Sequence, residues 1–346
     1  MYDDVVLQNE YVSAVIDRHS GRVKSLIDLG TGRDYIACGQ TAGLEFLQTE
    51  KRSSNAWNIG RTIRDIPVEK CVELRAPRRQ GDLLKTAEAV FSVEGGCRVP
   101  TQITVTYALK AGSRALEVKI KADWQEQGED TIPVLTYKVP VCGATGKFNY
   151  IIPQGTIQRG ALNNDVPGIG SGAACVEDGS ALVLVSDSKY GYRGEADSLS
   201  VTLINSATSP DPYPERGIHN ITLWLGLTDG EAGSQTAVTD DVNHALFYVP
   251  GNVHEGALPT TDGLVELVAG NAAVTSVSAC EGVITVRGFE TAGLDGTAVL
   301  RFAAPVKGAC LTDLSESGYQ KPLDVSGCEV TVPMGHNAIW MVKVAL

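Results

Sequence analysis

Apolar and polar side chains alternate along much of this chain with the period of a β-strand rather than of a helix. Leu116, Val118, Ile120, Ala122 and Trp124 fall on one side of an unbroken stretch, and Glu117, Lys119, Lys121 and Asp123 on the other. That pattern predicts an antiparallel strand with one face in a core and one in water. Residues 198–204 alternate in the same way and predict a second half-buried strand. Residues 181–185 are apolar throughout and stop at Ser186-Asp187, as a strand covered on both faces does. Residues 218–227 supply another.

Shorter patterns of the same kind fill most of the rest. Residues 5–7, 11–16, 23–29, 88–93 and 101–109 read as strands, with Arg18-His19-Ser20-Gly21 and Thr31-Gly32-Arg33-Asp34 as turns. Residues 236–248 accommodate one short helix, around 240–246. The stretch 251–263, with Pro259 and several small residues, reads as a linker. Beyond it, strands recur at 274–277, 283–287, 297–302, 308–314, 328–332 and 339–344, the spacing of a small sandwich. The predicted architecture is all-β, with a large antiparallel domain over 1–255 and a small sandwich over 264–346.

One connection stands out. Ser209-Pro210-Asp211-Pro212-Tyr213-Pro214-Glu215-Arg216-Gly217 places three prolines in five residues between two predicted strands. Proline fixes φ and removes the backbone donor, so this segment belongs in neither a central strand nor a helix interior. It is a stiff loop that holds Asp211, Glu215 and Arg216 in defined positions. The segment serves either as a rigid connection or as a functional loop on a rigid scaffold. The glycines of Pro167-Gly168-Ile169-Gly170 are not followed by an amphipathic helix, so they make a turn rather than a phosphate cradle.

Composition narrows the partners. The chain has 346 residues, 37 glycines, 20% charged residues and a net charge of −12. That charge argues against nucleic acid and anionic membranes, whose recognition needs basic patches, and suits a neutral ligand. Eight cysteines are scattered without a C-x-x-C pair, which fits neither a disulfide scaffold nor a structural zinc site. The first residues carry no apolar signal region, and no apolar run approaches membrane-spanning length. Free thiols in the cytoplasm are the expectation. His219, His244 and His254 lie close in sequence but in strand-start and loop contexts, which reads as structural or surface histidines rather than a metal site. Asp240-Asp241 reads as a helix N-cap pair.

Taken in order, several motifs resemble the C-terminal half of glycoside hydrolase family 38, the class II α-mannosidases. They are Leu7-Gln8-Asn9-Glu10-Tyr11, Ser25-Leu26-Ile27-Asp28 with Thr31-Gly32-Arg33-Asp34, and Ala56-Trp57-Asn58-Ile59. Asp123-Trp124-Gln125-Glu126 and the Ser186–Tyr192 run Ser-Asp-Ser-Lys-Tyr-Gly-Tyr follow, then Pro210-Asp211-Pro212 and Gly217 with His219. Asn58 stands where the family pattern has Asp, and Gly-Ile-Gly where it often has an aromatic motif. The resemblance implies a β-supersandwich of the galactose-mutarotase-like kind followed by a smaller sandwich.

It also implies a parent enzyme that is a retaining α-mannosidase, in which an Asp nucleophile and a second carboxylic acid flank the sugar. In that family these groups and a zinc ion held by His and Asp sit in an N-terminal catalytic barrel. No His-x-Asp zinc motif is found here, so the resemblance implies catalysis and zinc outside these residues. The chain would pack on that barrel, shape the rim of the active site, meet mannosides there and support a homo-oligomer. Arg216, directly before Gly217, matches a family arginine that lies near the substrate. Trp57 and Asp211 are the other candidate substrate contacts, Trp57 being equally readable as a core residue. Two alternatives remain: a free-standing carbohydrate-binding sandwich using Trp57 and Tyr213, and an aldose-mutarotase-like enzyme pairing His219 with Glu215.

Overall fold

The computed structural model describes residues 4–37, 39–77, 81–93, 101–162, 164–212, 215–244, 246–252, 255–257, 262–316 and 320–346. Cys38, Cys97, Tyr213, Pro214, His254 and Pro259 lie outside the described residues. The chain forms two compact units, Met1–Tyr150 with Gln158–Gly230, and Ile151–Ile157 with Glu231–Leu346.

In the first unit, β1 (Val5–Gln8), β2 (Val12–Ile16) and β3 (Val23–Asp28) form a small antiparallel sheet in that order. A six-stranded sheet runs β13 (Val166–Pro167), β16 (Gly191–Glu195), β17 (Ser198–Asn205), β10 (Thr131–Pro140), β4 (Gly43–Glu50), β5 (Thr62–Pro67). A nine-stranded sheet, all of it in this unit except residues 151–157, begins β12 (Gly155–Gly160), β11 (Ala144–Ile152), β14 (Ser171–Val176), β15 (Ala181–Ser186), β18 (Gly217–Thr228). It continues β9 (Ala115–Trp124), β8 (Thr101–Lys110), β7 (Leu84–Val93), β6 (Cys71–Arg75). The two large sheets face each other across an apolar core, where Phe46 of β4 meets Trp124 of β9 at 6.1 Å between ring centroids. Tyr150 of β11 and Tyr192 of β16 make a second such contact at 6.5 Å. Such ring pairs add to the burial of their large apolar surface.

The alternation along β9 is realised with one exception. Leu116, Val118, Ile120, Ala122 and Trp124 are buried, and Lys119, Lys121 and Asp123 are exposed, but Glu117 is buried as well. Lys110 at 3.2 Å and Lys119 at 2.9 Å cover its carboxylate. β15 is buried on both faces, as its composition predicts. β17 departs from the half-buried expectation, because its polar residues Ser198 and Ser200 are buried too. Their neighbours explain it. Ser198 Oγ donates to Glu195 Oε2 at 3.2 Å, and Thr202 Oγ1 donates to Asp165 Oδ2 at 2.5 Å, so that face is covered by polar side chains rather than water.

In the second unit, α1 (Ala232–Asn243) precedes a sandwich of two sheets. One runs β19 (Val265–Ala269), β22 (Gly296–Phe302), β26 (Glu329–Met334), β25 (Asp324–Ser326). The other runs β20 (Ala272–Cys280), β21 (Val283–Glu290), β27 (Ile339–Ala345), β23 (Gly308–Thr312), β24 (Gln320–Pro322). Val286, Leu300, Val330, Val332, Trp340 and Val342 fill the space between them. The helix starts eight residues before the stretch that reads as helical and ends at Asn243. Asp240 and Asp241 therefore sit in its last turn and cap nothing at its start. The helix lacks an apolar face. Its buried residues are Gln235, Thr236 and Thr239, and both threonine hydroxyls bond back to the carbonyl four residues earlier, a use of threonine that periodicity does not register.

Among the described residues no helix is long and apolar enough to cross a membrane. The six described cysteines, Cys71, Cys142, Cys175, Cys280, Cys310 and Cys328, are free thiols.

Candidate functional site

The proline-rich loop leaves β17 at Asn205 and enters β18 at Gly217. Its first residues are held from the core. The indole Nε1 of buried Trp124 donates to Ser206 Oγ at 2.8 Å, and Ser206 N donates to Pro133 O at 2.9 Å. The next residues are held by Asn55, which is only 2% exposed. Asn55 Oδ1 accepts from Thr208 N at 2.8 Å and Ser209 N at 3.0 Å, and Asn55 Nδ2 donates to Thr208 Oγ1 at 3.1 Å. Ala56 N adds a bond to Ser209 O at 3.1 Å, just before the cis Ser209–Pro210 bond. At its far end Gly217 takes φ 137°, a conformation open to glycine and strained for other residues.

Asn55 thus joins two loops. It points inward from a tight turn closed by Trp57 N and Asn58 N, which donate to Ser54 O at 2.9 and 3.0 Å. Trp57 points outward and is 73% exposed, so the core-tryptophan reading fails. Asn58 Nδ2 donates to Ser53 O at 3.1 Å, a bond that an aspartate in its place lacks the donor to make.

On the other loop, Asp211 and Arg216 are both exposed. Arg216 Nη2 reaches Gln125 Oε1 at 3.5 Å, the outer limit of a hydrogen bond. Arg216, Glu215, Pro212 and buried Glu126 line a cleft of ≈ 10 Å³, room for a single water. The candidate residues Asp211 and Arg216 therefore share one loop, and the Trp57 loop is latched onto its base. The rim is polar and charged with one exposed aromatic face, and a sugar can be bound by such a surface through stacking and a guanidinium fork.

The histidines play other parts. His219 Nε2 lies 2.7 Å from the backbone oxygen of Glu215, and the Glu215 carboxylate is 3.9 Å away. The pair does meet, but the imidazole is occupied in bracing its own loop. His244 follows the last turn of α1, exposed, 3.6 Å from Asp240. His254 lies outside the described residues. Among the described residues, no three His, Cys, Asp or Glu side chains gather into a metal-holding group. The zinc implied by the family resemblance thus finds no donor set among them.

Turn-building in the Ser-Asp-Ser-Lys-Tyr-Gly-Tyr run falls mainly to Ser186, whose Oγ accepts from Ser188 N and Lys189 N at 3.3 and 3.0 Å. Asp187 ties the turn to β18 by accepting from Thr222 N at 3.2 Å. Asn55, Gln125 and Glu126 escape a reading of residue types. Gln125 and Glu126 belong to a motif whose role the pattern does not state, and Asn55 is an isolated asparagine whose partners are more than 150 residues away.

The sequence profile of the glycosyl hydrolases family 38 C-terminal domain matches residues 7–213. The chain belongs to glycosyl hydrolase family 38. No curated protein matches it significantly in sequence. Among solved structures it is similar to an α-mannosidase from Enterococcus faecalis V583, with TM-score 0.78 and 15% identity over 99% of this chain and 42% of that one. A family 38 protein from Enterococcus faecalis gives TM-score 0.77 and 15% identity over 98% of this chain and 43% of that one. At that identity the likeness establishes the fold, and the chain spans less than half the length of either structure. Of the family 38 motifs quoted above, those at 56–59, 123–126 and 210–212 lie on or next to the two loops that Asn55 joins, and those at 7–11, 25–34 and 186–192 belong to β1, β3 and the turn after β15.

Proposed function

We propose that this chain is the C-terminal, non-catalytic part of a retaining α-mannosidase, and that the rim carrying Trp57, Asp211 and Arg216 completes the sugar-binding mouth of a catalytic barrel. The observation that carries this reading is the Asn55 latch. It spends a buried amide and three hydrogen bonds on keeping two surface loops in register, more than a plain connection between strands requires. In this reading the nucleophile, the acid and the zinc belong to the barrel, and the present chain contributes stacking through Trp57 and hydrogen bonds from the Arg216 fork. A second observation supports a partner domain. Leu246, Phe247, Tyr248 and Val249, beyond α1, are 99%, 95%, 88% and 84% exposed. A contiguous apolar run of that kind marks an interaction surface.

The exposure of Trp57 also favours a second reading, a sandwich that binds mannosides without cleaving them. One experiment separates the two: hydrolysis of an aryl α-mannoside by this chain with zinc, alone and mixed with the catalytic barrel of the same enzyme. Activity confined to the mixture, and reduced there by Arg216→Ala and Trp57→Ala, is the expected result. Activity in the chain alone overturns the proposal. Sugar affinity in the chain with no gain in the mixture favours the binding module.

A further inference from the structure

At the opposite end of β4 from the Asn55 latch lies a cleft of ≈ 420 Å³, lined by Asp17, Ser20, Arg22, Thr41, Glu45 and Lys138 among others. Glu45 and the end of β4 at Glu50 are five residues apart, roughly 17 Å along a strand. All the lining residues belong to the first compact unit. The volume falls in the range of small-molecule sites.

Its floor is built from charges that are buried but not clamped to each other. Glu45 is 8% and Arg22 2% exposed. Arg22 spends its donors on the surrounding chain, bonding Thr41 Oγ1 at 2.9 Å, Thr41 O at 3.1 Å and Leu44 O at 2.5 Å. It stands 3.7 Å from the Glu45 carboxyl, and Lys138 stands 4.0 Å from it while pairing with Glu195 at 2.9 Å. Neither distance to Glu45 is a hydrogen bond. Burial, followed by the neighbouring Asp65 carboxyl, pushes the Glu45 pKa up to about 7, and a hydrogen bond joins the two carboxyls; Glu45 keeps acceptor sites beyond that bond. Lys138 has N–H groups beyond the one given to Glu195.

The cleft sets Arg22 and Lys138 against Asp17, Glu69 and Glu45, with Glu195 on Lys138 and Asp65 beside Glu45. That acidic balance disfavours an anionic ligand. Adjacent donors and acceptors on one floor suit vicinal hydroxyls, each of which gives and takes one bond. Pro67 and Pro140 add a small apolar wall.

We propose that this cleft binds a neutral polyol of monosaccharide size, with the Glu45 carboxyl and the Lys138 ammonium as its principal contacts. The proposal does not depend on the reading of the rim, and the two report from different residues. The test is a titration of the full chain followed by amide resonances, with D-mannose as the neutral probe and inorganic phosphate and D-glucuronate as charged ones. The expected result is saturable movement of the Ser20, Gln40 and Thr41 amides by D-mannose at about millimolar concentrations. Affinity should fall at least about tenfold in Glu45→Gln and in Lys138→Met. Both variants are checked for a wild-type spectrum away from the cleft, and either one that keeps it suffices. Movement confined to Trp57 and Gln125 assigns the sugar to the rim and overturns the cleft proposal. Response to phosphate or glucuronate but not to mannose overturns it in favour of an anion site, and no response to any probe overturns it outright.

Discussion

Asn55 and Thr208, 153 residues apart, are bonded twice: Thr208 N donates to Asn55 Oδ1 at 2.8 Å, and Asn55 Nδ2 donates to Thr208 Oγ1 at 3.1 Å. Removing the amide strands two backbone donors, those of Thr208 and Ser209, in a partly buried place. Each stranded buried group costs about 1–3 kcal/mol. Asn55→Ala should therefore lower the unfolding free energy of the first unit by about 3 kcal/mol, measured by urea titration. A loss below about 0.5 kcal/mol would mean that the two loops hold their register without the latch.

Trp57 should behave in the opposite way. At 73% exposure it contributes little to stability, and Trp57→Ala should change the unfolding free energy by no more than about 0.5 kcal/mol. Of the other three, Trp124 is fully buried, Trp340 nearly so and Trp224 partly. Acrylamide quenching of tryptophan fluorescence should lose its most accessible component in the variant. An unchanged quenching curve would place the indole against protein.

Glu45 gives stability a pH dependence of known sign. Its pKa is raised from 4.5 to about 7 by burial and by Asp65, against Lys138 and Arg22. The folded state therefore holds a proton that the unfolded state has released between those values. Stability is highest below pH 4.5 as far as this group is concerned, falls as pH rises, and levels off above 7, by about 3 kcal/mol in all. Glu45→Gln should flatten that decline and be more stable than wild type at pH 8. Denaturant midpoints at pH 5, 6, 7 and 8 check it, and parallel curves for the two proteins would refute it.

In the sandwich of the second unit, Gly288 of β21 leaves no room for a side chain. A Cβ there would stand 2.4 Å from Ala273 O and 2.2 Å from the Trp340 ring. The carbonyl belongs to the paired strand β20 and cannot withdraw without breaking the ladder. Gly288→Ala should cost about 1–3 kcal/mol or more by overpacking and lower the thermal midpoint of this unit. Calorimetry on the full chain would detect it, and an unchanged midpoint would mean that the strands separate at no cost.

Much of the β architecture was legible because its signal is local. β9 and β15 state their burial in consecutive residues, and the proline-rich loop announces itself by composition. The helix was legible only roughly: its buried face is made of Gln235, Thr236 and Thr239, and no apolar period marks it. Glu117 and Ser200 show the same limit within strands, since partners from neighbouring strands decide whether a polar residue meets water. At this surface Arg216 follows from the resemblance and Trp57 from the stacking of aromatic faces on sugars, whereas nothing in the pattern points to Asn55, which brings their loops together. The contact exists only after β4 and β17 have been placed by the strand between them.

The strand that follows the proline-rich loop is hydrogen-bonded along both edges, to β15 through Leu223–Thr228 and to β9 through Gly217–Gly226. The described ends of the loop are held, one by the Asn55 bonds and the other by the first residues of β18 against β9. Arg216 is in effect mounted on an anvil. On the proposed reading, Arg216 meets a sugar from that anchored base, and differences in ligand length fall to the reach of its side chain.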